Sequence, residues 1–291
     1  MHIGVPKEIK TDEYRVGLTP QSVSALVACG NSVTVETGAG VGIGADDASY
    51  RATGAEIAPS ASDVFGSADL IVKVKEPQPV ERKMLREGQV LFTYLHLAAD
   101  RDQAQDLLAS GATCIAYETV TDDAGRLPLL APMSQVAGRL SVQAGAKALE
   151  ISGGGRGVLL GGVPGTASAN VTVLGGGVAG KNAILIALGM GADVTVLDTN
   201  VATLEALSER YGPELKTIYS TRDSVLDVAR ELDLIIGAVL IPGARAPRLI
   251  AADMIKKLRA GSVLVDIAID QGGCFETSVA TTHAAPTYVV D

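Results

Sequence analysis

Residues 171–198 read Val-Thr-Val-Leu-Gly-Gly-Gly-Val-Ala-Gly-Lys-Asn-Ala-Ile-Leu-Ile-Ala-Leu-Gly-Met-Gly-Ala-Asp-Val-Thr-Val-Leu-Asp. A β-favouring run over 171–174 enters Gly175-Gly-Gly177-Val-Ala-Gly180, and Ala, Ile and Leu then recur at helical spacing as far as Leu188. A Gly-Met-Gly turn follows, then a second strand over 193–197 that ends on Asp198. Strand, turn, helix and strand stand in the order that a dinucleotide-binding βαβ unit needs.

The residue types fit that chemistry. Gly175 permits the tight turn out of the strand. Gly177 lets a pyrophosphate approach the backbone at the helix N-terminus, where unpaired N–H groups and the helix dipole favour an anion. Gly180 lets the helix lie close to the sheet. Asp198 can accept hydrogen bonds from adenosine ribose hydroxyls while repelling a 2′-phosphate, and no Arg follows it before Arg210, so NAD is favoured over NADP. Other readings stand beside this one. Gly-rich turns are common and the chain has 33 glycines. Asp198 could instead cap a helix, a role open also to Thr199 or Asn200.

Working outward, 291 residues suffice for two domains. Apolar residues make up 47% and charged ones 20%, the balance of a globular protein, and the aromatic share of 3% leaves a core of Val, Leu, Ile and Ala. Such cores suit parallel sheets covered by helices. A formal charge of −9 without a Lys/Arg run excludes nucleic acid and anionic membrane surfaces as expected partners. Cys29, Cys114 and Cys274 lack metal-ligand or redox spacing, so no metal is expected and a reducing cytoplasm fits. The first residues carry no apolar targeting region, and the uncharged stretch 157–180 is broken by Pro164 and glycines, so no membrane span is expected.

Strands are predicted at 2–5, 32–36, 70–75, 90–95 and 113–117, with helices from Thr19-Pro20 to Gly30 and at 46–52 and 100–109. From 132 to 151 the pattern becomes one long helix with an apolar stripe of Val136, Leu140, Val142, Ala146 and Leu149, a plausible spacer between two sheet domains. Beyond the dinucleotide core come a helix at 201–211, strands at 217–219 and 234–237, a helix at 251–258, and strands at 262–267 and 287–290. The expected architecture is α/β: two doubly wound parallel-sheet domains joined by the long helix, with a first domain over 1–131 and a Rossmann domain over 132–291.

Ligands of open parallel sheets bind beyond the carboxyl ends of strands. Polar residues so placed are Arg15 after the first strand, Lys75 ending the third, His96 past the fourth and Asp270 past the strand at 262–267. Each has a plainer reading: Lys73 and Lys75, alternating with Val72 and Val74, could lie on a solvated face; His96 could be a structural hydrogen-bonder. Asp270 could be a turn residue with Asp266 its rival, and Arg15 could pair with Asp12 or Glu13.

The blocks Gly4-Val-Pro-Lys-Glu-Ile, Arg15-Val-Gly-Leu-Thr-Pro, Val74-Lys75-Glu-Pro, Leu95-His96-Leu-Ala, Pro132-Met-Ser-Gln-Val-Ala-Gly-Arg and Asp266-Ile-Ala-Ile-Asp270-Gln-Gly-Gly closely resemble bacterial L-alanine dehydrogenases, collinearly along the chain. The sequence is similar, more distantly, to the NAD(H)-binding subunit of proton-translocating transhydrogenase. The resemblance implies NAD-dependent, reversible oxidative deamination of L-alanine to pyruvate and ammonia. It implies that Arg15 and Lys75 hold the substrate carboxylate and that His96 and Asp270 transfer protons. Ser134, Gly175, Gly177, Val178, Gly180, Asp198, Ser220, Val239 and Ile267 would line the cofactor site. It further implies a homo-oligomer, a hexamer in the family. Placing Asp270 in the cofactor domain and the other three in the substrate domain suggests a site assembled by closure.

Family members continue past Pro286-Thr-Tyr-Val-Val-Asp291 with a loop carrying Asn-Met-Pro-Gly, which covers the nicotinamide, and with helices that return to the first domain; this sequence has neither. A working dehydrogenase is the first expectation. A truncated, catalytically impaired NAD-binding protein and a transhydrogenase-like NAD(H)-binding subunit are the alternatives.

Overall fold

A computed structural model of the chain describes residues 1–241 and 246–290, which form two compact units, 1–129 and 130–291. The first contains β1 (His2–Val5), α1 (Pro20–Ala28), β2 (Ser32–Glu36), α2 (Asp47–Arg51), β3 (Glu56–Ala58), α3 (Ala61–Ser67), β4 (Leu70–Val72), α4 (Pro79–Arg82), β5 (Val90–Thr93), α5 (Arg101–Ser110) and β6 (Thr113–Ala116). Its six strands are ordered β3-β2-β1-β4-β5-β6, and every pairing is parallel. Apolar side chains cover both faces: Val5, Val33, Val35 and Tyr50 lie in one cluster, Val64, Phe65, Ile71 and Leu91 in another. That is why the strands read as unbroken apolar runs.

The second unit contains α6 (Ala131–Ala148), β7 (Asn170–Leu174), α7 (Val178–Gly189), β8 (Asp193–Asp198), α8 (Val201–Tyr211), β9 (Leu215–Tyr219), α9 (Arg222–Ala229), β10 (Leu234–Gly237), α10 (Ala252–Ile255) and β11 (Val263–Asp266). The strand order is β11-β10-β7-β8-β9, again all parallel. In both units the first strand is central, the chain winds outward on one side and then crosses back. The order therefore reverses between β1 and β4, and between β7 and β10, where loops diverge and leave a crevice.

Helix starts follow local chemistry. Thr19 Oγ1 accepts from Ser22 N–H (3.3 Å) ahead of Pro20, and Asp100 Oδ1 accepts from Gln103 N–H (2.9 Å) to open α5. Thr221 and Ser224 cap α9 reciprocally.

Several expectations are corrected. The edge strand β3 and the short helices α3, α4 and α9 carry too few residues to show a period. β4 ends at Val72; Lys73 N–H still pairs with Phe92 O at 3.1 Å, and the departure comes at Val74, whose N–H donates to the Glu8 carboxylate at 2.6 Å. Residues 287–290 form no strand; Tyr288 Oη ties the segment by donating to Thr277 O and accepting from Val279 N–H, both at 2.8 Å, and Val289 is 84% exposed. Lys73 is not on a solvated face but fully buried.

The long helix also differs from expectation. α6 ends at Ala148, and Val136 and Leu140 face outward, 56% and 55% exposed. Its buried face is Gly138, Ser141, Val142 and Gly145, followed by buried Leu149 with Ala146 packed beside it, and this face lies against α7 and the second sheet. Small residues permit the approach: a Cβ on Gly138 would lie 2.1 Å from Ala179 O, and one on Gly145 would lie 2.6 Å from Leu234 Cδ1.

Gly138 supplies a test of that packing. In a free helix, Gly→Ala gains about 1 kcal/mol, but overpacking against a backbone oxygen costs about 1–3 kcal/mol. Gly138→Ala should therefore lower the urea midpoint; a raised midpoint would contradict the close α6–α7 contact.

Candidate functional site

In the second unit the carboxyl ends of all five strands share one edge, and the glycine turn lies at its crossover point. Gly175 adopts φ +97°, and a Cβ there would meet Ala238 O and Val239 Cγ2 at 3.0 Å. Gly176 would collide with Leu207 Cδ1 and Thr203 Cγ2 at 2.8 Å, and Gly180 with Gly175 O at 1.8 Å. Gly177, the residue before α7, is different: a Cβ on it would meet no protein atom within 4 Å. Three of these glycines serve packing and the fourth faces open space at a helix N-terminus that has no side-chain cap and no acid in its first turn. That cradle fits a dinucleotide pyrophosphate.

Asp198 closes the turn from the neighbouring strand. Its Oδ2 accepts from Gly176 N–H at 2.7 Å and its Oδ1 from Asn200 N–H at 2.8 Å. Asn200, not Asp198, caps α8. Each carboxylate oxygen keeps acceptor capacity for a further donor. Ser220 follows β9, with its N–H on Asp198 O (2.9 Å); Val239 follows β10 beside Gly175; Ile267 follows β11. Val178 opens α7 and is exposed, while Ser134 lies in the first turn of α6, the helix packed on α7. Asp270 is exposed in the short 3-10 turn Ile267–Gln271, on the same edge. Its rival Asp266 is occupied: Oδ1 accepts from Ala268 N–H (3.1 Å), and Oδ2 accepts from Cys274 N–H (2.8 Å), Phe275 N–H (3.3 Å) and the Ser278 hydroxyl. Asp266 therefore holds a loop.

In the first unit the crossover between β1 and β4 carries a buried ionic network. Lys73 Nζ lies 3.1 Å from Glu8 Oε2 and 2.7 Å from Glu81 Oε1, and all three residues are at most 7% exposed. Glu8 Oε1 also accepts from Val74 N–H, which sets the course of the chain into Lys75. Burial pushes the Glu8 carboxyl above its ordinary value, against the pull of Lys73.

Around this network stand three of the residues expected from the sequence. Arg15 is pinned by Glu13, its Nε donating to Oε1 at 2.7 Å. Burial works against ionisation of Glu13, yet hydrogen bonds from Arg15 and the nearby Lys75 charge hold it below its ordinary value. The Tyr94 hydroxyl is raised by burial, while the Arg15 charge opposes the shift. The His96 ring lies parallel to that of Tyr94, with centroids 5.9 Å apart and 14° between planes. Tyr94 Oη donates to Leu129 O at 2.6 Å. His96 itself adopts φ +50°, ψ +40°, a left-handed conformation that costs an L-residue about 1–2 kcal/mol. Arg15, Lys75 and His96 thus gather about Glu13 and Tyr94. The Arg15–Glu13 pair is one of the plainer readings that the sequence offers for Arg15, whereas Tyr94 and Glu8 are not singled out from the sequence and Lys73 is read there only as a solvated residue.

Among the described residues, no helix is long and apolar enough to cross a membrane, and no group of His, Cys, Asp and Glu could hold a metal ion.

Comparison with known proteins adds the following. The model of the alanine dehydrogenase/PNT N-terminal domain matches residues 4–137, and that of the C-terminal domain matches 141–291. The chain is 59% identical over 291 residues to an alanine dehydrogenase of Halomonas elongata, covering 100% of this chain and 78% of that protein. A solved L-alanine dehydrogenase superposes with a TM-score of 0.91 at 52% identity, covering 100% of this chain and 80% of the other. A transhydrogenase structure from Sinorhizobium meliloti gives 0.80 at 28% identity, covering 96% and 81%.

The ionic network yields a prediction with a definite sign. Lys73→Met leaves Glu8 and Glu81 buried without their cation, a loss of about 3–5 kcal/mol near neutral pH. Glu8 already titrates above its ordinary value, and removing Lys73 raises it further. A carboxyl raised in the folded state favours folding below its unfolded pKa, and that contribution is lost as pH rises through the folded pKa. The deficit against wild type should therefore be larger in urea melts at about pH 8 than at about pH 5. An equal deficit at both would remove Glu8 from the account.

Proposed function

This chain belongs to the alanine dehydrogenase/PNT family, and from that premise we propose that it catalyses the NAD-dependent, reversible oxidative deamination of L-alanine to pyruvate and ammonium. The observation that carries the reading is the gathering of Arg15, Lys75 and His96 about Tyr94 and Glu13. The identity of 52% to the solved L-alanine dehydrogenase, against 28% to the transhydrogenase, favours the dehydrogenase over the binding-subunit alternative.

The chemistry follows from the charges. Arg15 and Lys75 hold the alanine carboxylate, and Glu13 keeps the guanidinium in place for it. That fixes the α-carbon and turns an encounter into a positioned reaction. NAD, when bound, supplies the hydride acceptor. Gly177 and Val178 would receive its pyrophosphate in the turn that Gly175 and Gly180 shape, and Asp198 would hold its adenosine ribose, with Ser134, Ser220, Val239 and Ile267 around it. The Asp198 charge disfavours a 2′-phosphate. His96 takes the proton that the substrate ammonium must lose before its C–H bond can give up a hydride. After releasing that proton to solvent, His96 removes a proton from the water that adds to the imine and returns it to the departing amine, which leaves as ammonium. Asp270 orients that water and offsets the positive charge of the imine.

The same reading extends to a homo-oligomer, supported by the outward-facing Val136 and Leu140, and to the cytoplasm, where the free Cys29, Cys114 and Cys274 stay reduced.

Steady-state NADH formation from L-alanine and NAD⁺, with NADH binding titrated in parallel, tests the proposal; binding without turnover would support an impaired NAD-binding protein instead. Lys75→Ala should raise KM for alanine and pyruvate by about 100-fold, the scale of a lost charged contact, with NADH affinity unchanged. Equal losses in both would contradict the carboxylate role. His96→Ala should lower kcat by about 100-fold or more at unchanged NADH affinity, and unaltered turnover would remove His96 from proton transfer.

A further inference from the structure

His96 is held by an unusual arrangement. Its backbone N–H donates to Glu118 Oε1 at 2.6 Å, and the preceding Leu95 N–H donates to the same oxygen at 3.1 Å and to Oε2 at 3.3 Å. Two successive N–H groups thus converge on one carboxylate, the geometry in which backbone dipoles bind an anion. The other side of the same peptide is held by Gln103, a buried residue whose Nε2 donates to Leu95 O, while the Leu95 side chain is 1% exposed.

Glu118 sits in the 3-10 turn Tyr117–Thr119, just past β6. The same turn sets the Tyr117 ring edge-on against Tyr94, with centroids 5.0 Å apart at 88°. Tyr94 is the ring on which His96 lies. One turn therefore controls both the peptide that carries His96 and the surface behind its imidazole.

We infer that Glu118 is the positioning residue for His96: by accepting the N–H groups of residues 95 and 96, it keeps His96 in its left-handed conformation and so aims the imidazole along the Tyr94 face. The left-handed region is unfavourable for an L-residue and persists only when its surroundings over-determine it. Without the carboxylate, the two N–H groups lose their shared acceptor and residue 96 relaxes toward ordinary backbone conformations. A proton-transfer group displaced by about 1 Å can lose about 100-fold in rate. The inference rests on the proposed role of His96 for its kinetic consequence, but not for its geometric one.

Selective ¹⁵N/¹³C-histidine labelling separates the two, because the chain has 3 histidines and His96→Ala identifies the signals of His96. In wild type the His96 amide proton should be strongly downfield and the ring signals should report one orientation. Glu118→Ala should move both amide and ring signals and lower kcat by about 100-fold at unchanged NADH affinity. Glu118→Gln, whose amide oxygen can still accept, should restore most of both. In the His96→Ala background, Glu118→Ala should cost no further turnover, since the residue acts through the imidazole. Should Glu118→Ala not fold, Glu118→Asp, which draws the carboxylate back by one methylene, provides the same readings at smaller amplitude.

Ring signals unchanged in Glu118→Ala, or losses that add in the double variant, would overturn the inference. If the ring signals move but wild type shows no L-alanine-dependent NADH formation, the positioning role stands and the proposed function fails.

Discussion

Each strand in both sheets runs in the same direction as its neighbours, and that constraint organises the rest of the molecule. Parallel pairing requires crossover connections, the crossovers cover both faces, and polar ligand-binding groups are left mainly at the carboxyl ends. Because strand order reverses beside β1 and again beside β7, each sheet has one place where adjacent loops part. In the first sheet that place holds Glu8, Lys73 and Lys75; in the second it holds Gly175, Gly177 and Val239. A charged network and a bare glycine turn are two solutions to the same topological opening.

The two openings differ in what keeps them in shape. At the first, a buried ammonium lies between two carboxylates, and Glu8 diverts the chain after Lys73 by taking the Val74 N–H. Buried ion pairs add little net stability because desolvation offsets their attraction, so the network is better understood as fixing where Lys75 emerges. At the second, side chains are removed rather than added. Asp198 takes the Gly176 N–H with one carboxylate oxygen and keeps acceptor capacity for a ribose. The residue proposed to discriminate the cofactor is thus also part of the glycine turn.

Much of this was legible in the sequence wherever a pattern spanned a whole element. The β7–α7–β8 unit carries its strand, glycine spacing and acidic terminus in 29 consecutive residues, Asn170–Asp198, and the residues past each strand could be found by position alone. What escaped was long-range. Lys73 alternates with apolar neighbours as a solvated residue would, and only Glu8 and Glu81, 65 and 8 positions away, make it a buried one. The left-handed His96 depends on Glu118, 22 residues onward, and no local period signals that partnership. The apolar stripe assigned to α6 held for Val142, Ala146 and Leu149 but not for Val136 and Leu140, because close backbone approach selected the side with Gly138 and Gly145. Residues 287–290 have strand-like composition but are tied by a tyrosine hydroxyl instead of a ladder.

The central claim is that the chain moves a hydride from the α-carbon of L-alanine to NAD⁺. The most direct measurement is mass spectrometry of the reduced cofactor after incubation with NAD⁺ and L-alanine deuterated at the α-carbon in ordinary water. The account predicts that NADH carries one deuterium, that pyruvate and ammonium form in equal amount, and that recovered alanine keeps its label at early times. Reduced cofactor without deuterium, or no reduction at all with NAD⁺ bound, would contradict it.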